Sequence, residues 1–148
     1  MVHALIATNS DVVLTLLRLV LGAIMFAHGA QKMPGWFGGQ GFRGTMTFFT
    51  TQMGVPAPLA FLAIAAEFFG GLGLIVGLLG RLAAFGILCN MVVAILAVHA
   101  RFGFFMNWFG NQKGEGCEYH LLAIALAMMI LVKGSGAVSF DSLLSVAM

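Results

Sequence analysis

Charge is what this sequence has least of. Seven Lys and Arg and five Asp and Glu stand among 148 residues, 8% in all, where a soluble domain carries about 25%. A chain so poor in ion-hydrating groups cannot cover a water-facing surface of its own size. Cysteine is scarce too, and Cys89 and Cys117 lie far apart, which excludes both a disulfide-stapled secreted domain and a C-x-x-C redox pair. The net charge of +2 is scattered along the chain, so no nucleic-acid-binding face is expected. What fills the sequence instead is 61% hydrophobic residues and a mean hydropathy of +1.04. The lipid bilayer is the expected partner. Fourteen Phe, ten Met and twenty Gly, without the polar–apolar alternation of lipid-facing strands, point to close-packed helices rather than a β-barrel.

A spanning helix needs about 20 apolar residues, and four stretches qualify, at about 11–29, 58–79, 82–100 and 119–136. The fourth has the shortest uninterrupted run, Tyr119 to Val132, and crosses only if Lys133 snorkels to the interface. The first is read as a retained span rather than a cleaved signal, because it lacks a basic start and carries Arg18 within its apolar run. Between the first two spans, Phe42, Met46, Phe49 and Met53 recur on one side of a helix over about 41–53, expected to lie in the membrane interface. The expected architecture is therefore all-α: one membrane domain over 1–148, an integral four-helix bundle with a short interfacial helix between its first and second spans. Only Gly80 and Arg81 join the second and third spans, which makes them a hairpin.

An even number of spans places both termini and the hairpin turn at one end and the two long loops at the other. Lys32, Arg43, Arg101 and Lys113 at the loop end outnumber Arg81 and Lys133 at the opposite end, which leans towards a cytoplasmic loop end. A margin of two charges leaves the orientation open. Phe102 to Phe109 reads as an aromatic belt or a re-entrant cap. The expected location is a bacterial or archaeal cytoplasmic membrane.

Ionisable groups inside spans are costly and mark function or pairing. Measured by helix rise from the nearest loop, Arg18, Glu67 and Asn90 each lie about 15 Å deep on three different helices. They are expected to share a midplane site, with Arg18 and Glu67 as an ion pair and Asn90 hydrogen-bonding beside them. Such a pair either fixes helix register or does work. A second constellation gathers at the loop end, where His28 and Lys32 close the first helix, His99 and Arg101 close the third, and Glu115, Glu118 and His120 open the fourth. It reads as a polar mouth for an organic headgroup or a proton relay, or as histidines that bond backbone and lipid headgroups. Haem or metal ligation by His28, His99 and His120 is not favoured, because the spacing matches no ligand motif, and no metal is assigned.

Arg18-Leu-Val-Leu-Gly22 followed by His28-Gly29-Ala-Gln-Lys32 resembles the pattern of the DoxX family of small membrane proteins. The resemblance extends through Gly54-Val-Pro56, Glu67-Phe-Phe-Gly70-Gly71, Gly77-Leu-Leu-Gly80-Arg81, Gly134-Ser-Gly136 and Ser139-Phe-Asp141. It implies a four-helix membrane protein associated with redox metabolism, with Arg18, His28, Lys32, Glu67 and Arg81 at the family's polar positions. Some relatives are regarded as subunits of thiosulfate:quinone oxidoreductase, and others as partners of soluble antioxidant enzymes. The expected function is the membrane subunit of a quinone-linked oxidoreductase. His28, Lys32, Glu67 and Arg18 are the catalytic candidates; Asn90, His99, Arg101, Glu118 and His120 are the candidates for holding the quinone. No flavin or nicotinamide fingerprint is present, so electrons would come from a partner chain or a substrate, and whether the chain is itself an enzyme stays open. The alternatives are a scaffold that docks a soluble redox enzyme and a small transporter with a midplane Arg-Glu-Asn site. A homo-oligomer is also left open.

Overall fold

The computed structural model describes residues 5–147, so the expectation that Met1 and Met148 share one side falls on residues outside it. Among the described residues, the α-helices from Val12 onward are α1 (Val12–Lys32), α2 (Gly41–Thr47), α3 (Ala57–Val76), α4 (Gly80–Ala94), α5 (Glu118–Lys133) and α6 (Phe140–Ala147). A π-helical turn, Phe48–Gln52, extends α2, and a π turn, Ile95–His99, and a 3-10 turn, Ala100–Phe102, extend α4. Three segments, α1, α3 and Gly80–Phe102, are long and apolar enough to cross a membrane. Each is about 30 Å or more at 1.5 Å per residue, the thickness of a bilayer's hydrocarbon. With 16 residues, α5 is about 24 Å long.

The ends of these helices follow from local chemistry. Asp11 starts α1 by accepting the Val13 and Leu14 N–H groups at 2.8 and 3.3 Å. Pro34 helps to end it, since its ring nitrogen has no N–H with which to continue the helical ladder. Pro58 sits in the first turn of α3, and Gly77, at φ +74°, takes the left-handed position that stops it. By contrast, α4 starts at Leu79 with no capping side chain of its own. Its cap comes from the far end of the chain: Asp141, 1% exposed, accepts the Leu79 and Gly80 N–H groups at 2.8 and 2.9 Å. The Ser135 hydroxyl donates to the same carboxylate at 2.6 Å.

The helices pack in a closed order, α1 on α3, α3 on α4, α4 on α5 and α5 back on α1. Contact is most intimate between α1 and α3, where glycine removes the side chain that would hold them apart. A Cβ on Gly29 would collide with the backbone of Phe68, and one on Gly71 with that of Phe26. Gly22 likewise faces Leu74 and Ile75. These contacts fix an antiparallel register in which each step along α1 matches a step back along α3. Leu21, Met25, Leu74, Ile87 and Ile130 fill the interior, while Val12, Leu16, Leu62, Val93 and Leu96 stand exposed around it, a surface made for lipid.

One end gathers the N-terminal segment, the α3–α4 turn and residues 134–141. There Asn9 N–H donates to Lys133 O at 3.1 Å, Asp141 N–H to Gly77 O at 2.9 Å, and Arg81 Nε–H to Ala7 O at 3.0 Å. The other end carries the two long connections. The second of these is pinched at its neck by Cys117 N–H to Gly103 O and Glu118 N–H to Phe104 O, at 3.1 and 2.9 Å.

Candidate functional site

The register between α1 and α3 decides which charges meet. Gly29 lies against Glu67 and Phe68, so Lys32, just beyond it, reaches Glu67 and forms an ion pair with its Oε2. The Asn90 amide donates to the other oxygen, Oε1, at 2.8 Å. Three helices thus converge on one carboxylate that is 8% exposed, while the lysine side chain keeps 26% exposure. A carboxylate so buried is held by a cation and an amide, one on each oxygen, as burial of charge demands.

The expected Arg18–Glu67 pair is not formed. Carrying the same register along α1 puts Arg18 opposite Gly77 and Leu78, about ten residues and 15 Å of helix away from Glu67. The depth estimate failed because α3 begins well beyond the end of α1, so residues counted in from Pro58 and back from His28 do not start level. Arg18 instead donates to the Leu74 carbonyl, to Ile75 O at 3.0 Å and to Val138 O at 2.6 Å. The midplane Arg-Glu-Asn arrangement of a transporter falls with the pair; Glu67 and Asn90 stay together, with Lys32 as the cation.

The loop-end constellation is partly gathered. His28, one turn before Lys32 on α1, lies 5.7 Å from the Tyr119 ring, and Tyr119 meets His120 edge-on at 5.3 Å. His120 in turn stacks against His99 with ring centroids 4.0 Å apart. His99 Nδ1 faces Glu115 O at 2.8 Å, and only a protonated nitrogen can bond a carbonyl, so Nδ1 is the donor of this pair. The π turn over Ile95–His99 shifts His99 off the 3.6-residue repeat that governs α4. His120 is 7% exposed, and its Nδ1 has no partner in the protein. An unpaired imidazole nitrogen at such burial is costly in a finished core.

Two predicted residues stand elsewhere. Glu118 fastens the loop, accepting the Met106 N–H at 3.2 Å. Arg101 lies over its neighbour Phe102, 4.7 Å from the ring centre, in the wall of an open groove of about 470 Å³ that Phe104, Phe105 and Lys113 also line. Among the described residues no three His, Cys, Asp or Glu side chains are grouped to hold a metal. Of the three histidines, His99 and His120 lie ring against ring, and His28 meets the Tyr119 ring. Sequence reasoning passed over Tyr119 as a site residue. The single tyrosine of a chain with fourteen phenylalanines is a signal that could have found it.

The family described as DoxX matches residues 13–100, more than half of the chain and the part that holds Lys32, Glu67, Asn90, His28 and His99. A Bacillus subtilis (strain 168) protein named "Putative oxidoreductase CatD" is 28% identical over 126 residues, covering 85% of this chain and 82% of its own length. No solved structure matches the chain significantly. With the match running from the first residues of α1 to the end of α4, and three apolar helices long enough to cross a bilayer, this integral membrane protein belongs to the DoxX family.

Proposed function

We propose that the chain is the membrane subunit of a quinone-linked oxidoreductase and that it holds a quinone headgroup at its loop end. In this reading α5 completes a four-helix bundle, with Lys133 snorkelling at its end and the α2 segment lying in the interface. The observation that carries the reading is the unpaired Nδ1 of His120, buried next to His99 and Tyr119. A quinone oxygen needs a hydrogen-bond donor in an apolar setting, and an imidazole in the tautomer that carries its proton on the unused Nδ1 supplies one. Reduction of a quinone takes up two electrons and two protons. In this reading His120 and His99 pass the protons, and the Lys32–Glu67 ion pair, held by Asn90, contributes a fixed dipole with no net charge. The electrons come from a partner chain or a reduced substrate.

The family and the printed name of the Bacillus subtilis relative support an association with oxidoreductase chemistry. A second reading rests on another observation. Phe105, Trp108 and Phe109 project from the second loop with 66–88% exposure, a surface suited to docking a soluble redox enzyme. The cytoplasmic membrane of a bacterium is consistent with either.

The test is fluorescence quenching by a water-soluble quinone analogue in detergent, read from Trp36 and Trp108, both exposed at the loop end. Quenching should saturate with wild-type protein and become linear in His120→Phe, which keeps the ring stack and removes the nitrogens. Equal saturation in the two proteins, or none in wild type, would move the weight to the docking reading.

A further inference from the structure

Arg18 belongs to the opposite end and takes no part in the reading above. It sits six residues into α1, about 9 Å along the helix, and is 1% exposed. Among the described residues the one ion pair is Lys32–Glu67, so this guanidinium has no carboxylate in bonding contact. Its charge is met by the last carbonyls of α3, those of Leu74 and Ile75, and by Val138 O. These carbonyls form the negative end of the α3 dipole. Asp141 is close enough to act on this charge through space but makes no bond to it; its oxygens accept the Leu79 and Gly80 N–H groups and the Ser135 hydroxyl.

A guanidinium carries five N–H donors, and the Nε–H of Arg18 has no acceptor in the protein. The same residue forms part of the floor of a groove of about 410 Å³, within the range of small-molecule sites. The rim is apolar and open: Leu19, Val76, Phe140 and Leu143 are 38–68% exposed. An occupant must therefore combine oxygen acceptors, preferably anionic, with hydrocarbon that can lie against the rim.

We propose that this groove holds the phosphate of an anionic membrane lipid, with Arg18 as its cationic partner and the acyl chains running along α1 and α3. Two of the arginine's hydrogen bonds go to the end of α3 and one to Val138, and the Nε–H, buried and unused within the protein, turns to the phosphate when the lipid seats. Arginine suits both tasks, because its fork of donors can bond fixed carbonyls and a phosphate at once.

The experiment is thermal melting of the full chain in neutral detergent. The added probes are dioctanoyl phosphatidylglycerol, dioctanoylglycerol, which lacks the phosphate, or inorganic phosphate. Phosphatidylglycerol at about a hundredfold excess over its Kd should raise the melting temperature by about 5–10 °C, saturably, and the other two probes should not. Val138→Trp and Leu143→Trp fill the groove from exposed positions and leave Arg18 in place, so both should melt like wild type without lipid and lose the shift. Arg18→Gln should lose it as well, and the two groove variants decide the matter if that protein does not fold. The proposal is overturned if dioctanoylglycerol or inorganic phosphate gives the same shift, or if the groove-filling variants keep it. Either result would leave Arg18 as a structural pin.

Discussion

Glu67 meets three demands that a buried carboxylate makes: a cation on one oxygen, an amide on the other, and exclusion from water. Breaking such a pair by removing one charge costs about 3–5 kcal/mol when both partners are buried. Glu67→Gln should fall near the lower figure, about 3 kcal/mol, because a quarter of the Lys32 side chain still meets solvent. Adding Lys32→Met to that variant should recover more than half of the loss, whereas adding Arg18→Gln should give a simple sum within about 0.5 kcal/mol. Chemical or thermal denaturation of six proteins, the wild type, the three single variants and the two double variants, measures both couplings, and a strong Arg18–Glu67 coupling would mean that the register described above is wrong. At this scale the sequence told half of the story. Scarcity of charge singled out Arg18, Glu67, Lys32 and Asn90, because any polar group in an apolar helix stands out. It could not say who pairs with whom, since that depends on where two helices start relative to each other. Nor could it show that His120 keeps an idle nitrogen, which only the packing of α4 on α5 creates.

Elements are held together here by what glycine leaves out. Gly29→Ala or Gly71→Ala would drive a methyl group into the backbone of the facing helix, where nothing can swing aside. Each should cost about 3 kcal/mol, at the upper end for overpacking, and should weaken the Lys32–Glu67 pair by spreading α1 from α3. Gly86→Ala is the control: its new methyl would meet only Ala66 Cβ at an ordinary 3.5 Å, so the gain in helix propensity should stabilise α4 by about 0.5–1 kcal/mol. Melting temperatures of the three variants read these outcomes directly, and an inert Gly29→Ala would argue against the close α1–α3 approach. Hydrophobic runs and breakers made the long helices legible, because length, proline and glycine act locally. The cap of α4 was hidden, since Asp141 reaches Leu79 and Gly80 across 61 or more residues of chain. One hint was present: a helix that starts after Gly77-Leu78-Leu79 has no capping side chain and must borrow one.

The whole molecule separates two polar centres along its length. One end is closed by Arg18, Ser135 and Asp141, each bonded to backbone or to another of the three, and this end ties the N- and C-terminal segments to the α3–α4 turn. The other carries the Lys32–Glu67–Asn90 centre, the row of aromatic and imidazole rings from His28 to His99, and two long loops. Composition alone placed the protein in a membrane, because 8% charge cannot solvate it. Helix-depth counting did not separate the two centres correctly, because it placed Arg18 level with Glu67 and Asn90 and left Lys32 at the loop end. The central claim is that the loop-end centre binds a quinone headgroup, and photolabelling tests it most directly. Full-length protein in lipid nanodiscs would be irradiated with an azido-quinone and the labelled peptide mapped by mass spectrometry. The account predicts a label at the start of α5, around Tyr119 and His120, that excess unlabelled quinone removes. Labelling confined to the Arg18 groove, or undiminished by competitor, would contradict it.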